Sequence, residues 1–398
     1  MTGLIPRGSA REVFRAFLAL GCTSFGGPVA HLGYFHVEFV VRRRWLESAA
    51  YGEIVALCQL LPGPASSQVG FALGLHRAGW RGALAAWAGF TLPSALLLAT
   101  FALGAGHLSG PLGAGFLHGL KLAAVAIVVQ AVWSMSRTLC PDRPRAAIAV
   151  AAALVLAILP GGAAQAAALA GGGAAGLALG LAGPAVAVEC AAGVVSSRAG
   201  LAAFAVFTLL LTAVPALRLA TGLPGVALFD ACYRAGAFVF GGGHVVLPLL
   251  RAAFVPAGWL SDDAFLAGYG AAQAVPGPLF TFAAYLGMLS PPGGAAGAAI
   301  ALVAIFLPGF LLLISALPFV GRLRDLAPAR AALAGVNAAV VGVLLAALYD
   351  PVWTGAVGDR VDFGIALAAS AMLLVGRVPP IVVVGFAAAA GVVRGTLL

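Results

Sequence analysis

A stretch near the start of the chain, FRAFLALGCTSFGGPVAHLGYF from Phe14 to Phe35, returns as FDACYRAGAFVFGGGHVVLPLL from Phe229 to Leu250. Phe14, Gly21, Phe25, Gly26 and Gly27 thereby match Phe229, Gly236, Phe240, Gly241 and Gly242. After a one-residue slip, Trp45-Leu46 matches Trp259-Leu260, and QLLPGP (Gln59 to Pro64) matches QAVPGP (Gln273 to Pro278). Further on, Phe90/Pro93 resembles Phe306/Pro308, and GLKLAAVAIVV from Gly119 resembles GVNAAVVGVLL from Gly335. Landmarks that keep order and spacing over about half a chain mark an internal duplication. The expected units are residues 1–197 and 198–398.

Each unit belongs in a membrane. Of 398 residues, 62% are hydrophobic and only 9% charged, whereas a soluble chain carries about a quarter charged residues. At roughly 20 apolar residues per span, about ten to twelve membrane segments fit. The apolar runs are continuous, which favours an all-α polytopic bundle over the diluted alternation of a β-barrel. No cleaved leader is expected, because Arg7, Arg11 and Arg15 run straight into an apolar stretch with no polar cleavage region.

The apolar stretches of the first half cover about 14–41, 54–75, 83–103, 113–136, 146–160, 164–188 and 199–217. Gly26-Gly27-Pro28 breaks the first and Pro62-Gly63-Pro64 the second, by relaxing φ and removing N–H donors. Arginines stand on every flank of these two segments: Arg7 to Arg15, Arg42 to Arg44, then Arg77 and Arg81. That arrangement predicts re-entrant helix hairpins, with two full spans as the alternative.

The formal charge of +9 comes from 22 basic residues in short groups, with no single stripe of the kind nucleic acid requires. They read instead as topology signals. Residues 1–82 hold eight arginines, whereas 218–294 hold only Arg218, Arg234 and Arg251, offset by Asp230, Asp262 and Asp263. The positive-inside rule then sets the first motif block toward the cytoplasm and the second toward the exterior. Inverted repeats with broken helices are an architecture of secondary transporters, whose substrate sits near the midplane where the repeats meet.

A broken helix in hydrocarbon survives only where protein or a wet cavity satisfies its backbone. In Pro62-Gly63-Pro64-Ala65-Ser66-Ser67, Pro64 can open a half-helix whose free N–H groups carry the positive dipole end, beside the hydroxyls of Ser66 and Ser67. Pro276-Gly277-Pro278-Leu279-Phe280-Thr281 repeats this, with Thr281 at the position of Ser67. Two opposed helix N-termini would hold a small anion. The plainer alternative is that the PGP and GG turns only permit close helix packing.

Lys121, the chain's only lysine, lies within an apolar run, and its repeat mate is Asn337. An intramembrane cation is a functional candidate by default, either as countercharge for an anion or paired with a carboxylate such as Glu189; snorkelling to the surface is the structural alternative. Gln59 and Gln273 are amides that could bridge loosened backbone or bind a ligand. His31 and His244 are read as structural, Asp230 and Arg234 as an i,i+4 pair, and Trp45 and Trp259 as interfacial anchors. The five cysteines, Cys22, Cys58, Cys140, Cys190 and Cys232, form no CxxC or Cys/His cluster, so no metal or other cofactor is expected. Nor is there a nucleotide-binding motif to hydrolyse ATP.

Taken together, FGGPVAHLGYFHVEFVVRRRWL, YGEIVALCQLLPGPASSQVGFALG and FGGGHVVLPLL followed by GWLSDDAFLAGYGAAQAVPGPLF resemble the chromate ion transporter family, long two-domain type. The resemblance covers essentially the whole chain. It implies an inner-membrane protein that exports chromate, with sulfate as the related oxyanion, and so confers chromate resistance. The family motifs fall on Phe25 to Pro28, Gln59 to Pro64, Phe240 to Gly243 and Gln273 to Pro278. The copies differ, with Gly243 in place of Pro28 and Leu279-Phe280 in place of Ala65-Ser66, so the first half-site is expected to be the more polar. Expected partners are an oxyanion and membrane lipid, with a homodimer left open. Two other functions stay open: export of another small anion or organic acid, and an intramembrane enzyme acting on lipid phosphate.

Overall fold

The computed structural model describes residues 8–105, 107–108, 110–159, 162–181, 195–240, 243–319 and 326–397. These residues form helices joined by short turns, with no strand among them. The protein is an all-α polytopic membrane protein. Six helices among the described residues are long and apolar enough to cross a membrane.

In the first half, α1 (Ala10–Thr23) stops at Ser24, and α2 (Gly27–Phe35) runs on into a π-helical turn, His36–Arg42. Helix α3 (Ser48–Leu60) stops at the PGP turn, after which α4 (Ala65–Ala105) begins. Both broken segments fold back on themselves. Trp45 Nε1 donates to Glu12 at 3.2 Å, Arg77 pairs with Glu12 at 3.1 Å, and the Gly8 amide donates to the Arg77 carbonyl at 3.0 Å. The start of α1, the end of α2 and the end of the first arm of α4 therefore share one level, as re-entrant hairpins require.

Helix α4 is itself a hairpin. Ala78 and Gly79 leave helical geometry, Gly79 with φ of +64°, and a Cβ on Gly74 would run into the Gly82 carbonyl. Eight residues along a straight helix would lie about 12 Å apart, so the second arm must run antiparallel to the first. That arm spans the membrane to Ala105. Helices α5 (Gly110–Leu139), α6 (Arg143–Ile158) and α7 (Gly162–Ala178) complete this half, and α8 (Ser197–Thr221) links it to the next.

The second half repeats the order. Helix α9 (Pro224–Ala237) matches α1, and α10 (Val246–Phe254), entered by the 3-10 turn Gly243–Val245, matches α2. Next come α11 (Asp262–Ala272), a 3-10 turn at Leu279–Thr281, α12 (Phe282–Leu289) and α13 (Gly294–Ala316). Gly287 meets Gly297 as Gly74 meets Gly82. Helices α14 (Ala327–Ala347), α15 (Arg360–Leu374) and α16 (Pro380–Leu397) close the chain.

The halves interlock. Helix α5 packs closely on α16, where a Cβ on Gly119 would lie 2.7 Å from Ala388 Cα, and α14 packs on α7, where a Cβ on Gly335 would lie 2.7 Å from Gly176 Cα. Each half thus lends its last helix to the other. Without a hydrophobic driving force between helices in lipid, such glycine contacts let backbones approach and supply the packing energy.

Candidate functional site

The breaks converge. The Gly63 amide donates to the Val239 carbonyl at 2.7 Å, and the Gly277 amide donates to the Ser24 carbonyl at 2.9 Å. Ser24 and Val239 are the carbonyls freed where α1 and α9 stop. Each PGP turn thus caps the broken helix of the opposite half. Both donors have positive φ, +121° at Gly63 and +98° at Gly277, which a side chain would oppose.

A small cavity of about 50 Å³ lies at one of these crossings, lined by Gly26, Gly27, Gln130, His244, Gln273 and Gly277 with apolar neighbours. That volume suits a few waters or one small ion. No carboxylate among the described residues lines it. Gln273 Nε2 has no hydrogen-bond partner among the described residues, and His244 Nδ1 lies 2.8 Å from the buried Tyr269 hydroxyl. An unpaired buried amide donor costs free energy unless a ligand or water takes it.

The structure sorts the sequence-derived residues into groups. Gly26, Gly27, Gln273 and Gly277 line this cavity, and Pro276 and Pro278 shape its turn. Pro62, Gly63 and Pro64 form the other crossing, where Gln68 Nε2 bonds the Pro62 carbonyl at 3.0 Å and the Gly309 carbonyl at 2.9 Å. Ser66 and Ser67 are buried at the opening of α4, Ser66 Oγ lying 3.4 Å from His31 Nδ1. The Thr281 hydroxyl donates to the Pro278 carbonyl at 2.7 Å, so its proton is already engaged. Gln59 is exposed, and Asn337 is half-buried midway along α14. Gly241 and Gly242 lie outside the described residues, as does Glu189.

Lys121 lies elsewhere. Its ammonium donates to Asp263 at 2.8 Å and to the Gly355 carbonyl at 3.2 Å, at a separate cavity of about 690 Å³. Trp45 is likewise not a lipid-facing anchor: it is 2% exposed and stacks on Phe39, because its indole N–H is needed by Glu12 inside the hairpin. Asp230 and Arg234 do pair, at 2.7 Å, and Arg218 joins them at 3.3 Å. The second PGP turn opens into a 3-10 turn rather than directly into an α-helix, so the two half-helix N-termini differ.

Sequence reasoning passed over Gln68, Gln130 and Tyr269, and set His244 aside as structural. Gln68 and Gln130 did carry a signal, as amides inside long apolar runs, where a polar group needs a reason. Around the first break, Ser24 Oγ, His31 Nε2, Ser67 Oγ, Gln68 Oε1 and Thr91 Oγ1 are buried without a partner among the described residues. The first half is thus rich in unengaged polar atoms.

The chain matches the chromate transporter family model twice, over residues 11–177 and 226–392. It is 32% identical to the chromate transport protein of Pseudomonas aeruginosa, over 87% of this chain and 82% of that one. A chromate transport protein of Cupriavidus metallidurans is 30% identical, over 86% and 82% of the two chains. A probable chromate transport protein of Synechococcus elongatus is 29% identical, over 98% and 96%. No solved structure matches. A duplicated unit, four broken segments tied across the halves and these relatives lead to one conclusion: the chain belongs to the chromate transporter family.

Proposed function

We propose that this protein exports chromate, and the related oxyanion sulfate, from the cytoplasm across the inner membrane, and so confers chromate resistance. The observation that carries this reading is the cavity at the crossed breaks. Its polar lining is neutral amides and an imidazole, with no acid among the described residues to repel an anion. If the Tyr269 hydroxyl donates to His244 Nδ1, the ring proton sits on Nε2 and becomes a further donor. Donors of this kind replace part of the hydration of a dianion, which is otherwise costly to bury. Full neutralisation by a fixed cation would hold the ion too tightly to release it.

The repeats are read as inverted in the membrane, with transport by alternating access. Support comes from the two hairpin mouths, which lie at opposite ends of the second arm of α4: Arg77 precedes its start, while Ala105 shares a cavity with Asp263 and Leu289. An inside-negative potential favours exit of a dianion by about 4–5 kcal/mol per 100 mV, so export needs no ATP. The small cavity volume favours a compact oxyanion over a larger organic acid.

Reconstituted protein tests the reading. Vesicles loaded with chromate should release it faster than protein-free vesicles, and sulfate should inhibit. Equal release with and without protein would overturn the assignment.

A further inference from the structure

The cavity of about 690 Å³ beside Lys121 has apolar walls from α4, α5, α11 and α12, and its basic and acidic lining residues are His118, Lys121, Asp263 and Arg394. Two of these, His118 and Arg394, have settled roles in one network with Asp362 and Asp359. His118 Nε2 lies 2.7 Å from Asp362, Arg394 lies 3.1 Å from the same carboxylate, and Arg394 also bonds Asp359 at 2.6 Å. The Asp362 side chain is 1% exposed and Asp359 caps α15, so this network fastens the α5, α15 and α16 ends. Hydrogen bonds from the Asp362 amide and then Arg394 hold the Asp359 carboxyl below its usual range, so it stays ionised.

The Lys121–Asp263 pair is different. Lys121 is 13% exposed, yet its carboxylate partner is 75% exposed and can swing into water. The pair joins α5 to α11. Ten residues inward along α11, about 15 Å at the helical rise, Gln273 lines the small cavity, whose other walls include Gln130 of α5. Both cavities therefore lie along the same α5/α11 seam. Between them the seam is shut, because Gly270 packs directly on the Leu120 carbonyl and leaves no room even for a Cβ.

We propose that the large cavity is the outer vestibule of the anion path, and that Lys121 is a transient binding point there for a tetrahedral oxyanion, which takes the place of Asp263. This rests on the export reading above. In the closed state Asp263 neutralises an ammonium that would be costly to leave unpaired on an apolar wall. When α5 and α11 part at Gly270 and Leu120, the pair loosens and the emerging anion meets a freed cation. Closure brings Asp263 back, and the carboxylate displaces the anion outward. Competition between two anions for one ammonium keeps the site weak, as release requires.

Because Lys121 is the only lysine, a membrane-impermeant sulfosuccinimidyl ester reports on it alone once peptide mass analysis separates it from the terminal amine. In full-length protein, Asp263→Asn should label Lys121 several-fold faster than wild type, and millimolar sulfate or chromate should slow that labelling several-fold. Asp263→Ser serves as a second variant. Equal labelling of wild type and both variants, or labelling indifferent to either oxyanion, would overturn the site. The labelling does not depend on flux: a wild-type protein that moves no chromate would refute the export reading, while sulfate protection would still establish the anion point.

Discussion

The amide of Gly63 donates a 2.7 Å hydrogen bond to the carbonyl of Val239, across the boundary between the two halves. Its counterpart, Gly277 to Ser24 at 2.9 Å, completes a reciprocal pair in which each half satisfies a backbone group that the other leaves open. Such groups cannot be left unpaired in hydrocarbon. The centre of the protein is therefore held largely by backbone, which leaves side-chain donors such as Gln273 Nε2 available to a ligand.

The two glycines should not respond alike to alanine. At Gly63 a Cβ would lie 2.9 Å from Gly309 Cα, which is backbone, whereas at Gly277 it would lie 2.8 Å from the Ser94 hydroxyl. Both substitutions strain a positive φ, by about 1–3 kcal/mol. Gly63→Ala should lower thermal stability in detergent more than Gly277→Ala, and Ser94→Gly should partly restore the Gly277→Ala protein but leave Gly63→Ala unchanged.

Gln68 ties the first PGP turn to α13 through two carbonyls. Gln68→Leu leaves both without their donor, at about 1–3 kcal/mol for each buried group left unsatisfied. The melting temperature should fall clearly, and chromate flux per folded molecule should fall with it. An unchanged melting curve would mean that the bridge is not made.

Gln273 lines the small cavity, and its Nε2 has no hydrogen-bond partner among the described residues. Gln273→Ala should weaken chromate binding about three- to tenfold, in line with the loss of one hydrogen bond to a charged ligand, about 1.5–3 kcal/mol before water substitutes for it. Gln273→Glu should weaken binding much more, because a carboxylate would face a dianion in a confined space. Equilibrium binding at several salt concentrations separates the two, since only the Glu effect should shrink with added salt.

The interlocked helices offer a test of the fold. Gly119 and Gly335 both rest against backbone of the opposite half, at Ala388 and Gly176. Leucine at either position must push the two helices apart, and overpacking of this kind costs about 1–3 kcal/mol or more. Protease sensitivity should rise in the last helix of the opposite half, α16 for Gly119→Leu and α7 for Gly335→Leu.

Much was legible in the residue order. Scarce charge and long apolar runs determined a helical membrane protein, and the clustered Gly-Gly and Pro-Gly-Pro steps marked where helices stop, whereas single prolines such as Pro93 and Pro308 lie inside helices. The matching landmarks exposed the duplication. None of this could say which break meets which, that Lys121 meets Asp263 142 residues away, or that Gln130 joins Gln273 at one cavity. Those pairings belong to the packing of helices on one another, which in lipid depends on surface fit at small residues such as Gly119 and Gly270. Local periodicity carries no record of that fit, so only the tertiary structure decided it.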